Sequence, residues 1–355
     1  MVTLEELLRR MVELRGSDLH VTAGSPPRVR IDGELLCLGE EKLSPEVSQQ
    51  LVYSVLNNDQ IARYEKNLEL DLSFGISGLG RFRVNVFQQR GAVGAVMRII
   101  PWEVHSVKDL GLPQHLCEQL CMLPKGLILI TGATGSGKST TLASMVEYIN
   151  NTRNSHIVTI EDPIEFVHKN KKCLFNQREV GTDTHSFPAA LRSVLREDPD
   201  VVLIGEMRDQ ETIEAALTLA ETGHLIFGTL HTSDCVQTIN RIVDVFPAYQ
   251  QAQIRTQLSF TIQAVFCQQL LPCAGGKGRI LACEVMIANA AVRALIRDDK
   301  AHQIYSIIQT GGREGMKTMN ASLSQLYKSG QVTFEEAVAH SSDVEDLRRM
   351  LQMRA

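Results

Sequence analysis

The stretch Gly132-Ala133-Thr134-Gly135-Ser136-Gly137-Lys138-Ser139-Thr140 limits what this chain can fold into more than any other. It reads G-x-x-x-x-G-K-S, a phosphate-cradling loop that requires a strand before it and a helix after it. Both are present. Gly126 to Thr131 is an apolar run of strand length, and Leu142, Met145, Val146 and Ile149 share one helical face. A strand feeding a glycine turn that opens a helix aims backbone N–H groups and the positive helix end at one point. Glycines let the backbone wrap an anion with no Cβ in the way. Lys138 is then expected at the β- and γ-phosphates, and the Ser139 hydroxyl at Mg²⁺.

A chain of 355 residues is long for one core, so two domains are expected. Hydrophobic residues at 44% and charged residues at 22% place it among globular proteins that work in water. The net charge of −5 gives no global attraction to nucleic acid. Lys169-Asn170-Lys171-Lys172 is the only lysine run and has no aromatic interleaving, so a DNA-directed motor is disfavoured. No window has the apolar length of a membrane span. The acidic, amphipathic start Met1-Val2-Thr3-Leu4-Glu5-Glu6 does not read as a secretory signal. Eight cysteines without a C-x-x-C pair argue against a zinc ribbon and for reduced thiols in a cytoplasm.

The first hundred residues read as a small α+β unit. Thr3 to Leu14 is a helix with a Thr3–Glu6 capping box, and Asp32-Gly33 signals a hairpin. Ser44-Pro45 starts a second helix, running from Glu46 to Leu56. Residues 70–76, 82–86 and 93–100 alternate as strands. Pro101 and the Gly111-Leu112-Pro113 corner bracket a connector over 101–113. From 114 to 355 strands alternate with helices, which predicts a mostly parallel α/β sheet. The strands are Leu127–Thr131, His156–Ile160, Val201–Gly205, His224–Thr229 and Arg279–Met286. The helices include Gln114–Met122, Ser139–Asn150, Glu211–Thr222, Cys235–Val245 and Gln250–Leu270. Thr333 with Glu336 and Ser342 with Glu345 are two more capping boxes.

Three stretches add chemistry. Ile160-Glu161-Asp162-Pro163-Ile164-Glu165 ends a strand, at the sheet edge where open α/β folds bind ligands. Its carboxylates either polarise a water or hold a cation, or they form a solvated turn. Val201 to Ile204 is a buried run that delivers Glu206, expected on the strand beside the loop, where it can hold Mg²⁺ or its water. His224 to Thr232 is a third apolar run ending in a polar group, His231, which can donate to a phosphate oxygen. His224 is expected only to cap the strand. In the first unit Phe82, Val84 and Val86 face one way, so Arg81, Arg83 and Asn85 face the other, with Arg98 on the next strand. Such arginines are either solvated or placed for transition-state phosphate charge.

Together Gly132–Thr140, the acidic box, the strand ending at Glu206 and the His224–His231 box resemble those of the secretion-superfamily traffic ATPases. Gly16-Ser17-Asp18-Leu19-His20, the arginine-bearing strands and Ala291-Val292-Arg293-Ala294-Leu295-Ile296-Arg297-Asp298 resemble the branch that retracts type IV pili. The resemblance spans essentially the whole chain. It implies a PAS-like N-terminal domain (1–100), a connector (101–113) and a RecA-like ATPase domain with C-terminal helices (114–355). It implies ATP and Mg²⁺ as ligands, a homo-hexameric ring, and a platform protein in the inner membrane as partner. Location at the cytoplasmic face of that membrane, through partners only, follows from the same resemblance. It assigns Glu165 as general base, Glu206 to the metal side, and Arg83 and Arg98 to the transferring phosphate. Ala133 stands where the family usually has proline. Val292, Ala294 and Asp298 depart from the retraction pattern A-I-R-N-L-I-R-E, and Ala294 removes an amide. An accessory retraction ATPase, an assembly or type II secretion ATPase, and a nucleotide-gated binding switch are the alternatives.

Overall fold

The computed structural model describes residues 2–31, 33–100, 104–276 and 278–352. It divides into two compact units, Met1–Glu103 with Glu165–Val167, and Val104–Ile164 with His168–Ala355. Asp32, Pro101 and residues 102–103 lie outside the described residues, so the expected hairpin tip and the start of the connector are not described. Residues 104–113 are counted with the second unit, and Val107 and Leu112 are buried in its core.

The first unit runs α1 (Leu4–Glu13), β1 (Asp18–Thr22), β2 (Arg28–Ile31), β3 (Glu34–Cys37), α2 (Pro45–Tyr53), α3 (Asn58–Asn67), β4 (Glu69–Ile76), β5 (Gly80–Gln89) and β6 (Ala92–Ile100). Thr3 and Glu6 form the expected capping box on α1. Ser44 caps α2 with Pro45 in its first turn. Helix α3 was not foreseen; Asn57 and Gln60 cap it reciprocally. The six strands pair in the order β3-β2-β1-β6-β5-β4, all antiparallel. Along β5, Phe82, Val84 and Val86 are buried while Arg83 and Asn85 are exposed. The period-2 reading of this strand therefore holds.

The second unit runs α4 (Gln114–Cys121), β7 (Gly126–Thr131), α5 (Lys138–Thr152), β8 (His156–Glu161), β9 (Leu174–Glu179), α6 (Phe187–Val194), β10 (Val201–Ile204), α7 (Gln210–Glu221), β11 (Leu225–Leu230), α8 (Cys235–Asp244), α9 (Ala248–Thr261), β12 (Ile262–Pro272), β13 (Arg279–Ile287) and α10 (Ala290–Arg297). Helices α11 (Ile304–Thr310), α12 (Met319–Lys328), α13 (Phe334–Ala339) and α14 (Val344–Gln352) follow. The sheet order is β13-β12-β7-β11-β10-β8-β9, parallel except for the antiparallel edge strand β13. Alternate residues of β7 feed two cores: Leu127 and Leu129 one, Ile128 and Ile130 the other. This sheet is therefore covered on both faces, which is why its strands read as continuous apolar runs.

Three sequence expectations are corrected here. The helix expected over Gln250–Leu270 ends at Thr261 and continues as β12. Ile262, Val265 and Phe266 are strand formers, and a short apolar run carries no decisive period. The cap of α14 is Asp343, whose carboxylate accepts from Asp346 N at 3.0 Å, rather than Ser342. Finally, β10 does not flank β7; β11 lies between them.

Candidate functional site

The loop leaves β7 at Thr131 and enters α5 at Lys138, with Gly137 as helix cap at φ 90°. Gly132 adopts φ 139°, and a Cβ there would lie 2.4 Å from the Gln268 carbonyl and 2.6 Å from Ser136 Oγ. Only glycine allows that approach. The Lys138 ammonium turns back over the loop and donates to the carbonyls of Gly132 (2.8 Å) and Ala133 (3.0 Å). Ala133, Thr134 and Gly135 are exposed, while Ser139 and Thr140 are half-buried at the start of α5. Ser136 Oγ is buried with no hydrogen-bond partner, although buried polar atoms are almost always paired. An unpaired hydroxyl, a cradle closed to any Cβ and a lysine on the rim fit a bound phosphate chain. The Ser139 hydroxyl and the Glu206 carboxylate are hard oxygen donors of the kind Mg²⁺ takes.

The register explains how Glu206 joins this group from a strand that is not adjacent. Leu230 of β11 pairs with Thr131 of β7, so His231 and Gly132 leave neighbouring strands at the same level. Beyond β10 the chain crosses over the end of β11. Met207 N donates to Thr229 O at 3.0 Å, and Thr229 Oγ1 donates to Gly205 O at 2.5 Å. The buried Met207 side chain lies against Gly228, where a Cβ would come within 2.5 Å of the sulfur. Glu206 thus comes to lie 3.2 Å from His231 Nε2. Both Glu206 oxygens also accept from Arg208, whose guanidinium is held in its charged form by that carboxylate. Glu206, Arg208, His231 and Arg241 line an open cleft of about 490 Å³. His224 is not in it; its Nδ1 sits 3.0 Å from Leu219 O in the turn before β11.

The acidic box divides. The Glu161 carboxylate ends β8 tied to Thr159 (2.6 Å) and Gln177 (3.1 Å). Glu165 is exposed and is counted with the first unit. The loop beyond it is anchored at His168, which stacks on Phe175 and meets Glu147 of α5 at 2.8 Å. Burial pushes the Glu147 carboxyl up, but hydrogen bonds from His168, Lys171 and Asn150 outweigh it and hold it at about 2.

In the first unit Arg83 and Arg98 are direct cross-strand neighbours, both exposed. Arg98 is not a loose solvated side chain: its Nε donates to Asp18 at 2.7 Å. Arg293 is committed too. Its guanidinium donates to the carbonyls of Ser259 and Phe260, at the end of α9, and to Gln263, at 2.7, 3.0 and 3.0 Å. Arg297, four residues on, is exposed.

Two buried groups had no readable sequence signal. Gln268, from the misread β12, donates to Thr141 at 2.8 Å and so braces the first turn of α5. Glu284 accepts from Cys235 N and Met319 N, the first residues of α8 and α12. Cys235 and Cys267 lie beside it with sulfurs 3.6 Å apart. The trio is compact enough to surround a cation. Both Glu284 oxygens already serve helix N-termini, and burial raises the Cys235 thiol well above its ordinary value. These three residues fasten two helices to the sheet.

The family model of type II/IV secretion system proteins matches residues 2–339. The type IV pilus retractation ATPase PilT of Pseudomonas aeruginosa is 51% identical over 94% of this chain and 96% of that protein. A protein of Neisseria gonorrhoeae named twitching motility protein is 47% identical over 94% of this chain and 91% of its own length. A solved structure of the pilus retraction motor PilT with bound ADP aligns over 98% of this chain and all of that one. Its TM-score is 0.91 at 53% identity. The mixed α/β architecture is shared with that structure over 98% of the chain, and this chain belongs to the type II/IV secretion system protein family.

Proposed function

We propose that this protein is an ATP-hydrolysing motor that powers retraction of type IV pili. The observation that carries this reading is the convergence of Gly132–Thr140, Glu206 and His231 at one end of the second sheet, in a chain similar along its length to pilus retraction ATPases. Gly132 to Thr140 wrap the triphosphate, and Lys138 exchanges its loop carbonyls for phosphate oxygens. Ser139 and Glu206 are the residues that would hold Mg²⁺. When bound, that ion neutralises phosphate charge. His231 donates to a phosphate oxygen and reports its presence to Glu206. Glu165 takes the proton from the attacking water, and Arg83 and Arg98 offset charge on the transferring phosphoryl group.

The insertion of β11 between the loop strand and β10 supports a RecA-like motor domain. The six-stranded antiparallel sheet with helices supports a PAS-like first domain. We place the domains at 1–100 and 114–355, joined by 101–113, in a homo-hexameric ring. No helix of the described residues is long and apolar enough to cross a membrane. By its similarity to pilus retraction ATPases, the motor acts at the cytoplasmic face through a platform protein in the membrane. Deleting the gene in the source organism is expected to leave surplus pili and abolish twitching. Normal twitching, or loss of pili, would overturn the retraction reading. Phosphate release by the purified protein separates a motor from a binding switch.

A further inference from the structure

The motif Gly16-Ser17-Asp18 leads into β1 and lies outside the nucleotide loop, yet it converges on Arg98. Asp18 stands directly opposite Arg98 of β6, and Arg98 directly opposite Arg83 of β5. The Asp18 side chain is only 4% exposed, whereas that of Arg98 is 68% exposed. One carboxylate oxygen takes Arg98 Nε at 2.7 Å; the other takes the Ser17 hydroxyl at 2.7 Å. Burial alone would raise the Asp18 carboxyl. Those two hydrogen bonds, together with the neighbouring positive charges of Arg98 and His20, outweigh it and hold the carboxyl below its ordinary value, so it is charged at neutral pH.

The backbone around the pair is fixed from both sides. Ser17 N donates to Arg30 O of β2 at 2.8 Å, and Ile99 N of β6 donates to Ser17 O at 3.2 Å. Gly16 has no room for a side chain, because a Cβ would come within 2.4 Å of Val29. The carboxylate is therefore a rigid, buried point from which Arg98 extends. It engages Nε, the nitrogen nearest the stem. The two terminal nitrogens, which form the fork that fits phosphate oxygens, remain on the exposed end.

We propose that Asp18, braced by Ser17, is a positioning residue that pre-orients the Arg98 guanidinium for a phosphoryl group. This rests on the reading that Arg98 serves ATP turnover. A long exposed arginine loses rotamer freedom whenever it is fixed in one geometry. Here that ordering is built into the fold, so the cost does not fall on the reaction step.

The test is steady-state phosphate release by the full-length protein with MgATP. Asp18→Asn keeps shape and an acceptor oxygen but loses the charge. It is expected to lower kcat about 10²-fold, the scale of a misplacement of about 1 Å, with KM for ATP and the melting temperature unchanged. Combining Asp18→Asn with Arg98→Ala is expected to be no slower than Arg98→Ala alone, because the two act as one unit. Normal turnover in Asp18→Asn alongside slow turnover in Arg98→Ala would overturn the positioning role. Normal turnover in Arg98→Ala would instead remove the reading on which it rests. If Asp18→Asn does not fold, Ser17→Ala decides, since it removes only the brace. Reduced kcat at unchanged KM supports the proposal, and wild-type kcat overturns it.

Discussion

Lys138 tests the loop residue by residue. Its ammonium donates to two carbonyls of the loop itself. Lys138→Ala is expected to abolish hydrolysis while circular dichroism and the melting curve stay close to wild type. Unchanged turnover would remove Lys138 from the site. Glu165 and Glu161 make a second comparison. Glu161 is tied to Thr159 and Gln177, so its carboxylate is committed to structure. Glu165→Gln is therefore expected to bind ATP and lose about 10²–10⁴-fold in kcat, the worth of a positioned base. If Glu165→Gln turns over normally and Glu161→Gln does not, the wrong acid has been chosen. The residue types and their spacing were legible in the sequence, because a glycine loop, a strand-ending acid and a strand-ending histidine are local patterns. The partners were not. Asp18 and Arg98 are 80 positions apart, and only the register of β1 on β6 makes them neighbours.

The turn after β10 shows how an element delivers a side chain. Gly228 leaves space for Met207, and Met207 draws Glu206 across β11 to His231. Gly228→Ala pushes a methyl into that sulfur. Overpacking of this kind costs about 1–3 kcal/mol. Stability is expected to fall by that amount and kcat to fall more than KM rises; an unchanged kcat would show that Glu206 does not depend on this packing. Helix α10 gives a second case. Arg293 and Arg297 lie four residues apart on this helix, but one is hydrogen-bonded to the end of α9 and the other is exposed. Arg293 holds the C-terminal carbonyls of α9, where a cation also meets the negative helix end. Hydrogen bonds to a charged group contribute about 1.5–3 kcal/mol, so Arg293→Ala is expected to lower the melting temperature and with it both hydrolysis and twitching. Arg297→Ala is expected to spare ATPase activity and stop twitching. Equal melting temperatures for the two variants would defeat this division.

At the scale of the whole molecule, acid stability reports the anchoring of the loop beyond Glu165. The Glu147 carboxyl sits at about 2 against an ordinary 4.5. A depressed carboxyl stabilises the folded form above its unfolded value and loses that stabilisation as pH falls through its folded one. Between about pH 4.5 and 2, wild type is therefore expected to lose stability faster than Glu147→Gln; parallel acid limbs would show that the network does not matter. In the proposed ring we expect Arg83 and Arg98 to act on their own chain's nucleotide. Mixing Arg83→Ala with Lys138→Ala subunits should then leave mixed assemblies inactive, whereas recovered turnover would place the arginines across an interface. The sequence alone determined the loop with its strand and helix, the alternation of β5, and most helix starts. Each depends on contacts within about four residues, the range over which periodicity, capping and glycine conformation operate. The tertiary structure alone decided the strand order, the conversion of residues 262–270 from expected helix to part of β12, and the pairing of Asp18 with Arg98 and Glu206 with His231. Those depend on which distant strands share a ladder, and an apolar run buried on both faces reads the same wherever in the sheet it lies.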